Sequence, residues 1–282
     1  MRHAESVPVL MHHHVNPAPG RLGVTPANFE SQLAWLARKG WTTLTLAQFG
    51  AFLGGAPMPR RSLLITFDDG YLDNWVHAYP LLARYDMHAV LFVATAWIGR
   101  GPVRPHAAQT AQPPSLPTHA ACEARIAAGN ADEVMIRWDE ARAMQASGTF
   151  ELHCHTHTHQ RWWQYGSDPA LRRRALAADL ALSREVLLRE LRQVSDHLCW
   201  PFGYFDDDYV AQARAQGFRY LHTTHAFGRN LPGGDREHIY RFPVRDRPAR
   251  WLRQRLRYAQ HPLLRWPFNR FKAWRRGLPP GA

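Results

Sequence analysis

Hydrophobic residues along the chain come in two alternating patterns. Short apolar runs, each followed by polar or glycine-rich residues, read as buried strands: Val7–Leu10, Trp41–Leu46, Ser62–Phe67, Ala89–Thr95, Thr149–Cys154, Leu198–Phe202, Tyr220–Thr224 and Ile239–Val244. Between them lie segments with helical spacing. Thr25-Pro26 is an N-cap with proline at the first helical position, and Phe29, Leu33 and Leu36 follow on one face up to Gly40. Leu46–Leu53, Asn74–Tyr85, Trp138–Ser147 and Pro169–Glu190 read as further helices. Strand and helix alternate about seven times, which predicts parallel βαβ units and a barrel.

Residues 99–136 break the pattern. They carry Pro102, Pro105, Pro113, Pro114 and Pro117 among many alanines. They read as a long insertion with mobile stretches, and insertions of this length often serve as functional lids.

At 282 residues and 45% hydrophobic, the chain can bury a large core. No run of 18 apolar residues exists, so no membrane-spanning helix is expected. The N-terminal stretch is broken by histidines and does not read as a secretory signal, which favours a cytoplasmic protein unless a signal has been removed. Cys122, Cys154 and Cys199 are sparse and lack CxxC spacing, so reduced thiols are expected.

The net charge of +12 is uneven. Residues 241–282 hold 12 Lys/Arg and one acid, Asp246, whereas the preceding 240 residues are close to neutral. Residues 249–260 read as a final barrel helix, although 249–282 is set apart as a basic, aromatic-rich unit beyond a main domain of residues 1–248. Past Pro262, aromatics mixed with arginine fit contact with an anionic membrane surface or a solvated tail. Nucleic acid is the weaker candidate, since no nucleic-acid motif accompanies the charge.

Three strand ends carry candidate chemistry. The first is Thr66-Phe67-Asp68-Asp69-Gly70, two adjacent carboxylates after a buried strand. Such crowding is costly unless a metal neutralises one and chemistry uses the other. The second is His153-Cys154-His155-Thr156-His157-Thr158-His159. In an extended chain all four histidines share a face; in a turn His155 and His159 become neighbours; either arrangement can hold a metal. The third is Trp200-Pro201-Phe202-Gly203-Tyr204, an ordinary turn or one that aims a backbone N–H at an oxyanion.

In this order the three motifs resemble the polysaccharide deacetylase family, with its NodB homology domain (carbohydrate esterase family 4). The N-terminal Val9-Leu10-Met11-His12-His13-His14-Val15 and the later Phe29, Leu36 and Gly40-Trp41 are similar to the poly-N-acetylglucosamine deacetylase-like branch. The resemblance covers roughly residues 7–245. It implies an α/β fold, a distorted (β/α)7 barrel, with the site at the C-terminal ends of the strands. It implies a metal-dependent hydrolase that removes an N-acetyl or similar acyl group from an amino sugar in a polysaccharide, glycolipid or envelope glycan precursor. Carried over residue by residue, Asp69, His155 and His159 are metal ligands and Asp68 is the general base. His153 and His157 fall outside the family pattern and flank the site. Zinc is the family's usual ion, and cobalt, nickel or iron(II) fit the same ligand set. A backbone N–H near Phe202 stabilises the oxyanion, and Pro201, Gly203 and Tyr204 contact substrate.

The chain also departs from the family. The arginine that many members carry before the motif's proline is Trp200 here, and Arg241 is the expected replacement. The usual Leu-x-His acid is not evident. Leu221-His222 and His225 match it poorly, and His13 is the remaining candidate. Two other readings stay open: an amidohydrolase-like hydrolase of small amides, and a glycan-binding barrel without activity.

Overall fold

In the computed structural model, which describes residues 3–226 and 228–260, eight strands form one curled parallel sheet, and the strands His14–Val15 and Gly23–Val24 pair separately as a short two-stranded sheet. In chain order the strands are β1 (Val9–His12), β2 (His14–Val15), β3 (Gly23–Val24), β4 (Thr42–Thr43), β5 (Ser62–Phe67), β6 (Ala89–Val93), β7 (Phe150–Cys154), β8 (His197–Cys199), β9 (Tyr220–His222) and β10 (Phe242–Pro243). The helices are α1 (Pro26–Arg38), α2 (Leu46–Leu53), α3 (Tyr79–Arg84), α4 (His119–Ala127), α5 (Trp138–Ala146), α6 (Pro169–Leu191), α7 (Asp207–Ala215) and α8 (Ala249–Gln260).

The sheet order is β10-β1-β5-β6-β7-β8-β9, with β4 added to the start of β5. Residues 239–243 close the ring. Ile239 bridges His222 of β9, and Phe242 pairs with Leu10 of β1. Among the described residues this is the distorted seven-stranded α/β barrel that the alternation predicts.

The two-residue period of each strand separates two cores. Leu63, Ile65 and Phe67 of β5 pack outward under the helices, with Phe29, Leu33 and Leu36 of α1. Leu64 packs inward with Val9, Val90, Phe92 and Cys199. Leu46, Phe49 and Phe52 of α2 join this inner cluster and plug the end where β5, β7 and β9 begin. The opposite end, after the strands, is left for the three motifs.

Several expectations are corrected. Residues 74–84 are not one regular helix: a π-turn over Asn74–Ala78 runs into α3 at Tyr79. Pro80 has no N–H for the regular ladder at that junction. The 99–136 segment is not a loose insertion. It contains α4, buries Leu116, Cys122 and Val134, and is pinned by Arg104, which is ion-paired with the fully buried Glu140. Helix α8, by contrast, is the final barrel helix expected of 249–260: Leu252 and Leu256 sit in the outer core, and Gln32 of α1 donates to the Arg247 carbonyl. The segment beyond Pro262 lies outside the described residues.

Candidate active site and metal centre

Strand parity delivers the first carboxylate. Leu64, Thr66 and Asp68 alternate into the barrel, so Asp68 points inward beyond the last paired residue, Phe67. Asp69 then adopts φ 74° and Gly70 φ 94°. The left-handed turn at Asp69, uncommon for a residue with a side chain, separates the two carboxylates.

Asp69 lies with two histidines. Its Oδ1 is 3.2 Å from His155 Nε2 and 3.3 Å from His159 Nε2. Of the two geometries open to the histidine run, the turn is observed. His155 continues β7, while Thr156 and His159 take φ 67° and 54°, folding the run back on itself. Asp179 of α6 accepts from the backbone N–H of His157 and Thr158, and His159 N–H donates to Thr156 Oγ1. His153 is directed instead to Ser195, and His157 to Thr95.

These three residues fit a divalent metal. Their donor atoms converge in one buried group. The Cys199 carbonyl accepts from His155 Nδ1 at 2.8 Å, which leaves Nε2 as the free donor. Burial pushes His159 down to about 3, so it is a neutral imidazole. Burial opposes charge on Asp69, but the hydrogen bond from His155, whose own pKa rises despite burial, holds its carboxyl well below the ordinary range, and a bound metal would take the place of that Nε2 proton. An anionic carboxylate with two imidazoles and open positions suits zinc, iron(II), cobalt or nickel.

Asp68 has a different partner. Arg241, 1% exposed, forks it: Nη1 donates to Oδ1 at 2.7 Å and Nη2 to Oδ2 at 2.9 Å. The remaining donors are also used, by the Thr223 carbonyl, Thr66 Oγ1 and Cys199 Sγ. Burial alone would raise Asp68, and the Arg241 guanidinium overcomes it, holding the carboxyl below its usual range. Trp200 cannot take this part. It packs in the outer core against Tyr209, while its neighbour Cys199 faces inward.

The Pro201–Gly203 turn brings the third motif to the metal group. Phe202 has φ 58° and its ring lies 4.7 Å from that of His159, under the Arg161 guanidinium. Gly203 is required here: its φ is +72°, and a Cβ would come within 2.0 Å of Thr224 Oγ1. Pro201 is buried, while Tyr204 is exposed and stacks near Trp163.

His13, half-buried at the end of β1, feels the charges of Asp68 and Asp69, and burial lowers its pKa. The other candidates for the acid are elsewhere. His222 is wholly buried inside the barrel, hydrogen-bonded to His197, and His225 pairs with His238.

Sequence reasoning missed Cys199, which braces both His155 and Arg241, and Asp179, which holds the histidine loop. For Asp179 a signal existed: with Ser183 it interrupts the apolar face Leu176, Leu180, Leu187 of α6. For Cys199 there was none, because it acts by accepting hydrogen bonds from distant residues, at its carbonyl from His155 and at its sulfur from Arg241.

A family model described as polysaccharide deacetylase matches residues 55–221. A poly-beta-1,6-N-acetyl-D-glucosamine N-deacetylase of Staphylococcus aureus is 24% identical over 199 residues, 70% of this chain and 59% of that protein. A Bacillus subtilis relative is 38% identical over 94 residues, a third of each chain. The chain thus spans between a third and about three fifths of the length of these curated relatives. Among solved structures, IcaB from Ammonifex degensii superposes with a TM-score of 0.70 at 24% identity, covering 92% of this chain and 99% of that one. The Streptococcus pyogenes deacetylase PplD, solved with acetate, gives a TM-score of 0.69 at 19% identity over 91% and 99%. These two likenesses concern the fold, and the family match concerns the sequence that carries the site; the chain belongs to the polysaccharide deacetylase family.

Proposed function

We propose that this chain is a metal-dependent hydrolase that removes an N-acetyl or similar acyl group from an amino sugar in a polysaccharide or glycan precursor. One observation carries the reading: a buried carboxylate forked by Arg241 stands beside a second carboxylate that converges with two imidazoles. Asp69, His155 and His159 would hold the ion. When bound, it supplies a Lewis acid that polarises an acyl carbonyl and acidifies water.

The remaining chemistry belongs to the chain. Asp68, kept ionised by Arg241, takes the proton of the attacking water. The Phe202 backbone N–H is the candidate donor to the developing oxyanion. The departing amine needs a proton, and the one on Asp68 is available. His13, neutral at rest, lies on the same side as the candidate that assists its transfer. Pro201, Gly203 and Tyr204 form the turn against which the sugar would lie.

The test is acetate release from N-acetylated sugar oligomers by metal-loaded protein. Asp69→Ala should lose both metal and activity. Asp68→Asn should retain the metal and lose about 10²- to 10⁴-fold in rate. Metal-loaded protein inactive on a panel of N-acetylated glycans would overturn the reading.

The charge of residues 241–282 supports a further part of the proposal: work at the inner membrane face on a lipid-linked glycan, with the basic C-terminal stretch drawn to anionic lipid. Sedimentation with anionic vesicles tests it.

A further inference from the structure

A groove of about 560 Å³ opens beside the metal group, large enough to enclose a small organic ligand. Its lining includes Glu123 and Ile126 of α4, and Arg161 just past the histidine run. At the metal group it is lined by His159 itself and by Trp97 and Phe202, whose rings both lie 4.7 Å from that of His159.

Arg161 is exposed, and among the described residues its guanidinium meets no carboxylate and donates no hydrogen bond. The arginines that the 99–136 segment and α5 contribute are all used: Arg100, Arg104, Arg125, Arg137 and Arg142 are each ion-paired. Arg161 is held by a ring instead, its guanidinium 4.6 Å over the centroid of Phe202. The backbone around it is fixed as well. Asp179 anchors His157 and Thr158, and the side chain of the next residue, Trp162, is buried. Stacking fixes the plane of the fork and leaves its donors open to a ligand.

An open guanidinium fork matches phosphate and carboxylate oxygens. The Phe202 ring touches both this fork and a metal ligand, so the anion belongs close to the reacting acyl group. In a 2-acylamino sugar the anomeric carbon is the neighbour of the acylamino carbon, and a phosphate ester there meets that requirement. Glu123, the groove's carboxylate, lies 3.8 Å from His119 of its own helix and repels an anion at α4. That leaves the Arg161 side for the phosphate.

We propose that Arg161 is a specificity-determining residue that binds a phosphate ester on the acylated sugar, so that the preferred substrate is a phosphate-linked amino sugar. The sugar rests on the deacetylase reading; the anion rests on the groove.

The experiment measures kcat/KM for acetate release by metal-loaded protein from N-acetylglucosamine 1-phosphate and from the neutral methyl glycoside. Wild type should prefer the phosphate ester about tenfold, the value of a charge-assisted hydrogen bond. Arg161→Gln should abolish the preference while turnover of the neutral glycoside stays within about twofold, with metal content unchanged. Arg161→Lys, which keeps the charge without the fork, should fall between the two. The same sugar on a nucleoside diphosphate and on a prenyl diphosphate then tells a soluble source of the phosphate from a lipid one by the faster rate. No preference in wild type, or a parallel loss on both substrates in Arg161→Gln, overturns the inference. Equal turnover of a glucuronic acid-linked N-acetylglucosamine overturns the choice of phosphate. If no N-acylated sugar is hydrolysed, the hydrolytic reading fails by itself. Tryptophan fluorescence from Trp97 and Trp163 then reads binding of N-acetylglucosamine 1-phosphate, and equal affinity in wild type and Arg161→Gln overturns the inference.

Discussion

Arg241 offers the sharpest test of how the site is held. All five of its N–H donors are used, two of them on Asp68, and the paired side chains are 0% and 3% exposed. Arg241→Met fills much of the volume and leaves a buried carboxylate without its counter-charge. Breaking such a pair costs about 3–5 kcal/mol. For a domain of this size that is a fall in melting temperature of about 6–20 °C. Arg241→Lys keeps the charge but not the fork, and should cost about 1–3 kcal/mol through lost hydrogen bonds.

The pH dependence has a definite sign. Asp68 is depressed in the folded protein, so its contribution to wild-type stability is present above the unfolded carboxyl value, about 4. It is lost only as pH falls through the lower folded value. In Arg241→Met, burial acts on Asp68 against only the smaller pull of His155 and His13, and its pKa rises. The variant therefore takes up a proton as pH falls, and its penalty shrinks. Urea denaturation of chelator-treated protein at pH 7.5 and pH 5 measures both gaps. Below both transitions, turnover of metal-loaded Arg241→Met should fall about 10²- to 10⁴-fold at neutral pH. A stability gap under about 1 kcal/mol at pH 7.5, or one that does not narrow at pH 5, would refute the account of a buried base held ionised by one guanidinium.

Asp179→Ala removes the acceptor for the His157 and Thr158 backbone, so the loop carrying His159 loses its anchor. Metal affinity, measured by chelator competition, should drop about 10- to 100-fold, and unchanged affinity would show that the loop holds itself. The full chain should sediment with vesicles containing anionic lipid and not with neutral ones, and the binding should weaken as salt is raised from 0.05 to 0.5 M, a range that shortens the screening length severalfold (about 10 Å at 0.1 M). Equal binding to both vesicle types would remove the case for electrostatic attachment.

Much of the site was legible because its signals are local. Asp68-Asp69, His155 to His159 and the Pro-Phe-Gly turn each announce themselves within a few residues, and the strand before each follows from a short apolar run. The exchange of Trp200 for an arginine was visible as a gap, and Arg241 as a candidate to fill it. Parity then explains the gap, since Trp200 falls on the outward side of β8 while its neighbour Cys199 faces the barrel. The 99–136 segment was misread because prolines and alanines say little about burial. What holds it are long-range contacts, Arg104 on Glu140 and His14 on His119.

The sequence by itself determined the barrel, the strand ends and the residue types suited to ligating a metal and abstracting a proton, because hydrophobic period and residue chemistry are properties of short windows. Only the tertiary structure decided which two histidines of four turn toward Asp69, which cation reaches Asp68 from 173 residues away, and what α4 faces. Those outcomes depend on backbone turns at Asp69, Thr156 and His159 and on contacts between distant strands. A local pattern does not encode the free-energy balance of such contacts, in which burying a charge is repaid by a partner elsewhere in the chain.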